Sequence, residues 1–271
     1  MKVFCMLGDK RALSSKTPAM YTKILKRVGI RGACVPFMVE PDQIGKALCS
    51  IKVLNMAGSI LTIPFKETVI PHLDILSEGA NIIGAVNTII YDGKTLKGYN
   101  TNAIGFMDAM DEAGFDLAGK SALVFGSGGT ARAVVFILNW LRAASILITD
   151  GNEKKTFQIT KKIGGETKSL ESLPDKPVLV DIVVNATSQS TIDETPEFVD
   201  LVKRLETPKC KLIVDLNYGP AENFWKDMAD SRGIKFIDGL SALAHQARRT
   251  FALLTKVQVN AHEFMKVLES V

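Results

Sequence analysis

The chain has 271 residues, 46% of them hydrophobic and 23% charged, with a formal net charge of +4. That length suits two domains of the usual ~100–200 residues. No apolar run approaches the ~18 residues of a membrane span, and the short basic clusters Lys154-Lys155 and Lys161-Lys162, without interleaved aromatics, argue against nucleic-acid binding. Met1 leads into an apolar stretch without a signal-peptide layout, and Cys5, Cys34, Cys49 and Cys210 are too scattered for a Cys-x-x-Cys site. The expectation is a soluble cytoplasmic protein with reduced, mostly buried thiols, no membrane, no nucleic acid and no metal.

Along the chain, strand and helix signals alternate. Strands are predicted at residues 3–7, 33–39 and 59–63, with helices over 18–28 and 42–54 between them. Pro18 suits a first helical turn, and Pro41-Asp42 marks the start of the next helix. Further strands at 85–91 and 96–99 are joined through the turn Asp92-Gly93, and a linking helix over 103–112 ends at Ala113-Gly114. Strands at 122–125, 144–149, 178–185, 211–216 and 234–237 follow, with helical stretches at 130–141, 196–205 and 221–231, then a helical tail over 241–255 and 260–268. The pattern predicts an α/β protein: an N-terminal unit with its own sheet, then a parallel, doubly wound unit.

Gly126-Ser127-Gly128-Gly129-Thr130-Ala131 turns the strand at 122–125 straight into a helix. Glycines there permit a tight turn and a close backbone approach, and the helix start offers N–H groups to a dinucleotide pyrophosphate. The next apolar strand ends at Asp150, about 20 residues on, where such folds read the adenosine ribose. A carboxylate there accepts from a 2′-hydroxyl and repels a 2′-phosphate, so NAD is favoured over NADP, with Lys154 and Lys155 opposing that preference.

In the N-terminal half, Thr62-Ile63-Pro64-Phe65-Lys66-Glu67 places a lysine just past a strand. Gly84-Ala85-Val86-Asn87-Thr88 and Gly98-Tyr99-Asn100-Thr101-Asn102 load two more strand ends with small and amide residues. Each is an ordinary turn taken singly.

Together and in this order these segments resemble the shikimate dehydrogenase family. Asn185-Ala186-Thr187-Ser188, Asp215-x-x-Tyr218-x-Pro220 and Asp238-Gly239-Leu240 with Gln246 extend the resemblance over nearly the whole chain. It implies a substrate domain (1–101 and 239–271) facing a nicotinamide-binding Rossmann domain (102–238), and NAD(P)-dependent interconversion of shikimate and 3-dehydroshikimate, or of quinate and its keto acid. It implies Lys66 as catalytic group and Ser15, Thr17, Thr62, Asn87, Tyr218 and Gln246 as substrate-binding residues. The cofactor contacts it implies are Gly126, Ser127, Gly128, Gly129, Thr130, Ala131, Asp150, Asn185, Ala186, Thr187, Ser188 and Gly239. A homodimer is compatible with the sequence.

The chain departs from the family pattern at Asn102, where the catalytic partner of the lysine is an aspartate. An amide donates and accepts hydrogen bonds but takes no proton at neutral pH. Three accounts stand: a substitution made to trap a substrate complex, the native residue of a relative with weak or altered activity, or a site in which Lys66 and a water suffice. The loop Gly8-Asp9-Lys10-Arg11-Ala12-Leu13, Ile60 and Ser190 depart as well, which keeps open a silent metabolite-binding member and a dehydrogenase for another cyclic hydroxy acid.

Overall fold

β1 (Lys2–Gly8) alternates its side chains between two apolar layers, which is what a strand covered on both faces requires. Phe4 meets Tyr21 of α1 (Thr17–Arg27) edge to face, with ring centroids 5.6 Å apart. Cys5 and Leu7, on the other face, join Ile44, Leu48 and Ile51 of α2 (Ile44–Val53). Burial pushes the Cys5 thiol up to about 11, so it behaves as a small apolar residue. The computed structural model describes residues 1–191, 195–219 and 222–270, and the chain divides into two units, Met1–Gly105 with Leu243–Val271, and Phe106–Ala242.

The first unit continues through β2 (Gly32–Met38), β3 (Gly58–Leu61), α3 (Phe65–Thr68), β4 (Ile75–Leu76), α4 (Glu78–Ile83), β5 (Thr88–Tyr91) and β6 (Leu96–Tyr99) to α5 (Thr101–Glu112), whose first turn belongs to this unit. Its six-stranded sheet has the order β2-β1-β3-β5-β6-β4, and β5 runs antiparallel to both neighbours. The strand predicted over 85–91 begins only at Thr88, because the Val86 N–H is taken by the Lys66 carbonyl at 2.6 Å.

In the second unit β7 (Ser121–Phe125), α6 (Gly129–Trp140), β8 (Ser145–Thr149), α7 (Glu153–Lys162), β9 (Glu166–Thr167), β10 (Ile182–Asn185), α8 (Pro196–Arg204), β11 (Leu212–Asp215), α9 (Phe224–Ser231) and β12 (Lys235–Ile237) form a parallel sheet of order β12-β11-β10-β7-β8-β9. The chain leaves β7 toward β8 and returns beside it as β10, so the carboxyl ends of β7 and β10 frame a topological switch point. The strand predicted over 178–185 shortens to Ile182–Asn185, since the Val178 and Val180 N–H groups bond Glu206 and Val178 carbonyls outside the ladder. Pro220 and Ala221 lie outside the described residues. The tail forms α10 (Gly239–Thr255) and α11 (Ala261–Glu269); Tyr21 packs on Phe251 and Phe264 from these helices. No helix among the described residues is long and apolar enough to cross a membrane.

Trp225 of α9 is fully buried and packs against Phe125, with centroids 5.0 Å apart, while its Nε1 donates to the Gln189 carbonyl at 3.1 Å. Trp225→Ala is expected to lower the unfolding free energy by about 3–5 kcal/mol, read as a reduced urea midpoint at constant slope. A midpoint matching that of the unmodified protein would show that this cluster does not hold the unit together.

Candidate active site

In the first unit the predicted lysine sits on the short helix α3 rather than in a loop. Phe65, buried in the α2 cluster, anchors that turn, its N–H bonds the Thr62 carbonyl at 3.0 Å, and the Lys66 carbonyl takes the Val86 N–H. The lysine is therefore held against the segment that carries Asn87. Lys66 is only part-exposed, and loss of hydration pushes its ammonium down to about 8.

Asn87, 1% exposed, organises what lies next to it. Its Oδ1 accepts the Thr101 N–H at 2.7 Å, and its Nδ2 donates to Thr101 Oγ1 and Asn102 Oδ1, both at 2.8 Å. Asn100 caps α5 by accepting the Ala103 N–H at 3.2 Å and donates to the Ala85 carbonyl at 3.0 Å. Thr101 and Asn102 thereby fall in the first turn of α5. Behind them the hydroxyls of Thr88, Thr101 and Thr250 close a buried ring, with separations of 3.3, 2.8 and 2.9 Å.

Other predicted substrate residues are placed locally as follows. Ser15 Oγ accepts the Thr17 N–H at 3.2 Å, which shapes the start of α1. Thr62 follows β3, its N–H on the Leu7 carbonyl at 3.0 Å, and lies so near Gly8 that a Cβ there would come within 2.2 Å of its methyl. Gln246 is half-buried on α10, one turn before Thr250 on the same helix face. Tyr218 belongs to the second unit, half-buried beyond β11, and burial raises its phenol.

In the second unit, Gly126 adopts a φ of +116°, and a Cβ on it would sit 2.9 Å from the Ala186 carbonyl, so glycine alone fits without strain. Ser127 is buried, whereas Gly128 is exposed and a Cβ there would enter open space. As N-cap of α6, Gly128 has no side chain to cap the helix, and the first turn carries no acidic residue. Helix starts of this kind fit an anionic pyrophosphate, with backbone N–H groups of Gly129, Thr130 and Ala131 as the donors. Asp150 is half-buried just past β8, with Oδ1 on the Asn152 N–H at 2.8 Å.

Asp215, fully buried at the end of β11, holds the neighbouring loops. It accepts from Asn185 Nδ2 at 2.8 Å, Ser190 Oγ at 2.6 Å, Asn223 Nδ2 at 2.6 Å and Asn217 Nδ2 at 3.0 Å. Asn185 Oδ1 then takes the Thr187 N–H at 3.0 Å, which fixes the 186–188 turn, with Ser188 exposed at its tip. Gly239 bonds the Asn217 carbonyl at 2.9 Å, and a Cβ there would lie 2.3 Å from the Leu216 carbonyl.

Residues 9–89 match the family described as shikimate dehydrogenase substrate binding domain, and residues 109–222 match shikimate / quinate 5-dehydrogenase. The chain belongs to the shikimate dehydrogenase family. It is 38% identical over 253 residues to the shikimate dehydrogenase (NADP(+)) of Desulforamulus reducens, covering 89% of this chain and 86% of the relative. Identity to the Geobacillus kaustophilus shikimate dehydrogenase (NADP(+)) is 35%, over 92% of this chain and 91% of that one. The fold matches the shikimate 5-dehydrogenase of Thermus thermophilus, solved in complex with NADP(H) and shikimate, with a TM-score of 0.86 at 29% identity over 100% of this chain and 99% of that chain. The Aquifex aeolicus shikimate dehydrogenase gives the same TM-score of 0.86 at 29% identity, covering 98% of this chain and 97% of its own.

Sequence reasoning gave no role to Thr88, Thr101 or Thr250. The signal for Thr250 was its spacing of four from Gln246 on one helix. Thr250→Val keeps the shape but leaves the Thr88 and Thr101 hydroxyls short of a partner. It is expected to cost about 1–3 kcal/mol in denaturant unfolding, with Thr250→Ser losing less; a valine variant as stable as the unmodified chain would show that the ring contributes nothing.

Proposed function

We propose that this chain is an NAD(P)-dependent dehydrogenase that interconverts shikimate and 3-dehydroshikimate, with the first unit binding substrate and the second binding the dinucleotide. The observation that carries the reading is Lys66, part-buried on α3 beside the Asn87 segment with its ammonium pushed down to about 8. Relatives bearing the shikimate dehydrogenase (NADP(+)) name along nearly the full chain support it.

Ser15 and Thr17 hold the substrate carboxylate at the start of α1, and Thr62, Asn87 and Gln246 of the same unit bind the remaining polar groups. When bound at the start of α6 and beside the 185–188 turn and Gly239, the nicotinamide dinucleotide supplies the hydride acceptor or donor. Lys66 handles the proton. In oxidation its neutral amine takes the proton of the reacting hydroxyl; in reduction its ammonium returns one to the carbonyl oxygen. Asn102 orients the substrate without titrating.

The direction of the pH dependence follows. A base must be neutral to accept a proton, so shikimate oxidation should rise with pH and level off above about 8, while reduction of the keto acid should fall above about 8. Lys66→Ala should lower kcat by ~10²–10⁴ and abolish both limbs. Full turnover in a folded Lys66→Ala protein, with an unaltered pH profile, would defeat the assignment.

For the cofactor, the carboxylate of Asp150 supports NAD, although the relatives are named for NADP(+). The kcat/KM ratio for NAD over NADP should exceed one, and Asp150→Ala should reduce it about tenfold, equivalent to ~1.4 kcal/mol. A ratio already below one and unmoved by the substitution would assign the choice to Lys154 and Lys155 instead.

Asn102 favours a second reading, a member that binds dinucleotide and metabolite with weak or no turnover, or acts on a cyclic hydroxy acid other than shikimate or quinate. Binding of shikimate without turnover, persisting in Asn102→Asp, would select it.

A further inference from the structure

The orientation of the Asn87 and Asn102 amides is set by atoms whose roles cannot be exchanged. The Thr101 main-chain N–H can only donate, and it lies 2.7 Å from Asn87, so that atom of Asn87 is Oδ1 and the other is Nδ2. Nδ2 can only donate, so the Asn102 atom 2.8 Å from it is Oδ1. The second Asn87 N–H is taken by Thr101 Oγ1 at 2.8 Å, and the ring with Thr88 and Thr250 satisfies that hydroxyl in turn. Asn102 Nδ2 is left turned away from Asn87 on a part-exposed residue, with no hydrogen bond of its own among the described residues.

We infer that Asn102 is a specificity-determining residue: locked by Asn87, it presents an N–H donor to the substrate oxygen and so selects the keto acid over the hydroxy acid. The inference rests on the reading of this cluster as the shikimate site. A carbonyl oxygen has two lone pairs, which match two donors, the Lys66 ammonium and the Asn102 N–H. A hydroxyl at the same place accepts from both only by turning its own proton away, because the Asn102 atom turned from Asn87 is the donor Nδ2, while Oδ1 points toward Asn87. A carboxylate at position 102 would reverse that balance, accepting the hydroxyl proton and repelling the carbonyl oxygen. It would still suit Asn87, whose Nδ2 donates equally well to a carboxylate.

Calorimetric titration of the full chain near neutral pH with shikimate and with 3-dehydroshikimate, without dinucleotide, tests this. The keto acid should bind about tenfold more tightly, the scale of one well-made hydrogen bond. Asn102→Asp should invert the order, and Asn102→Ala should bring the two affinities together. Asn87→Asp should shift the ratio in the same direction as Asn102→Asp, because its second carboxylate oxygen would turn the Asn102 amide over. Equal affinities in the unmodified chain, or a ratio unmoved by Asn102→Asp while both acids still bind, would overturn the inference and leave the dehydrogenase assignment standing. Failure of either acid to bind the folded chain would instead remove the substrate assignment, and the inference with it.

Discussion

The first unit is organised around a single buried amide. Asn87 has one acceptor and two N–H groups, and all of them engage the first turn of α5: the Thr101 N–H, the Thr101 hydroxyl that joins the ring, and the Asn102 amide oxygen. A buried amide left unpaired would cost a few kcal/mol, so the fold accommodates this one only because every bond is made at once. The same condition ties β5, α5 and α10 together at one point, since Thr88, Thr101 and Thr250 come from those three elements. Together with Phe65 in the α2 cluster and the Val86 N–H on the Lys66 carbonyl, it holds α3 and the 85–87 segment in place.

The second unit meets the same problem with a charge. Asp215 is removed from water, and four side-chain donors from Asn185, Ser190, Asn217 and Asn223 replace its hydration. A buried carboxylate is costly unless so paired. Its partners lie at the end of β10 and on the loops that follow β10 and β11, at the carboxyl end of a parallel sheet where such folds bind ligands. The glycines at 126 and 239 complete the arrangement from the backbone side, each standing where a side chain would strike a carbonyl of a neighbouring segment.

Much of this was legible in the sequence, for identifiable reasons. β7, β8, β10 and β11 are short apolar runs, largely buried, and the alternation with helices announces a parallel sheet. The glycine turn was readable because a close approach admits no other residue. α4 was missed because it is six residues long and buries only Ala80 and Ile83; its real signature is at its ends, Ser77 accepting the Ala80 N–H and Gly84 with a φ of +71°. α7 buries only Thr156 and Ile159, so periodicity marks it faintly, and Asn152 at its N-cap is the better sign. Individual motif residues were found, but the threonine ring was not, since it joins positions 88, 101 and 250, and no local pattern encodes a contact across 149 residues.

The lysine and the amide at 102 are physically coupled if they face one substrate oxygen. An opposite charge within ~4–6 Å of an ammonium typically raises its pKa by roughly 1–3 units, while burial lowers it. With a neutral amide at 102 the second effect acts on Lys66 with little opposition from that side, which accords with loss of hydration being the cause that pushes it down to about 8. A carboxylate there would offer a proton acceptor but keep the lysine charged. The amide offers no acceptor but lets the lysine become neutral nearer physiological pH, so acid–base work passes to the lysine itself. On the proposed reading, an amide in place of a carboxylate at 102 changes which group carries the proton, and the burial of Lys66, set by α3 and the Asn87 segment, is what would make that exchange chemically workable.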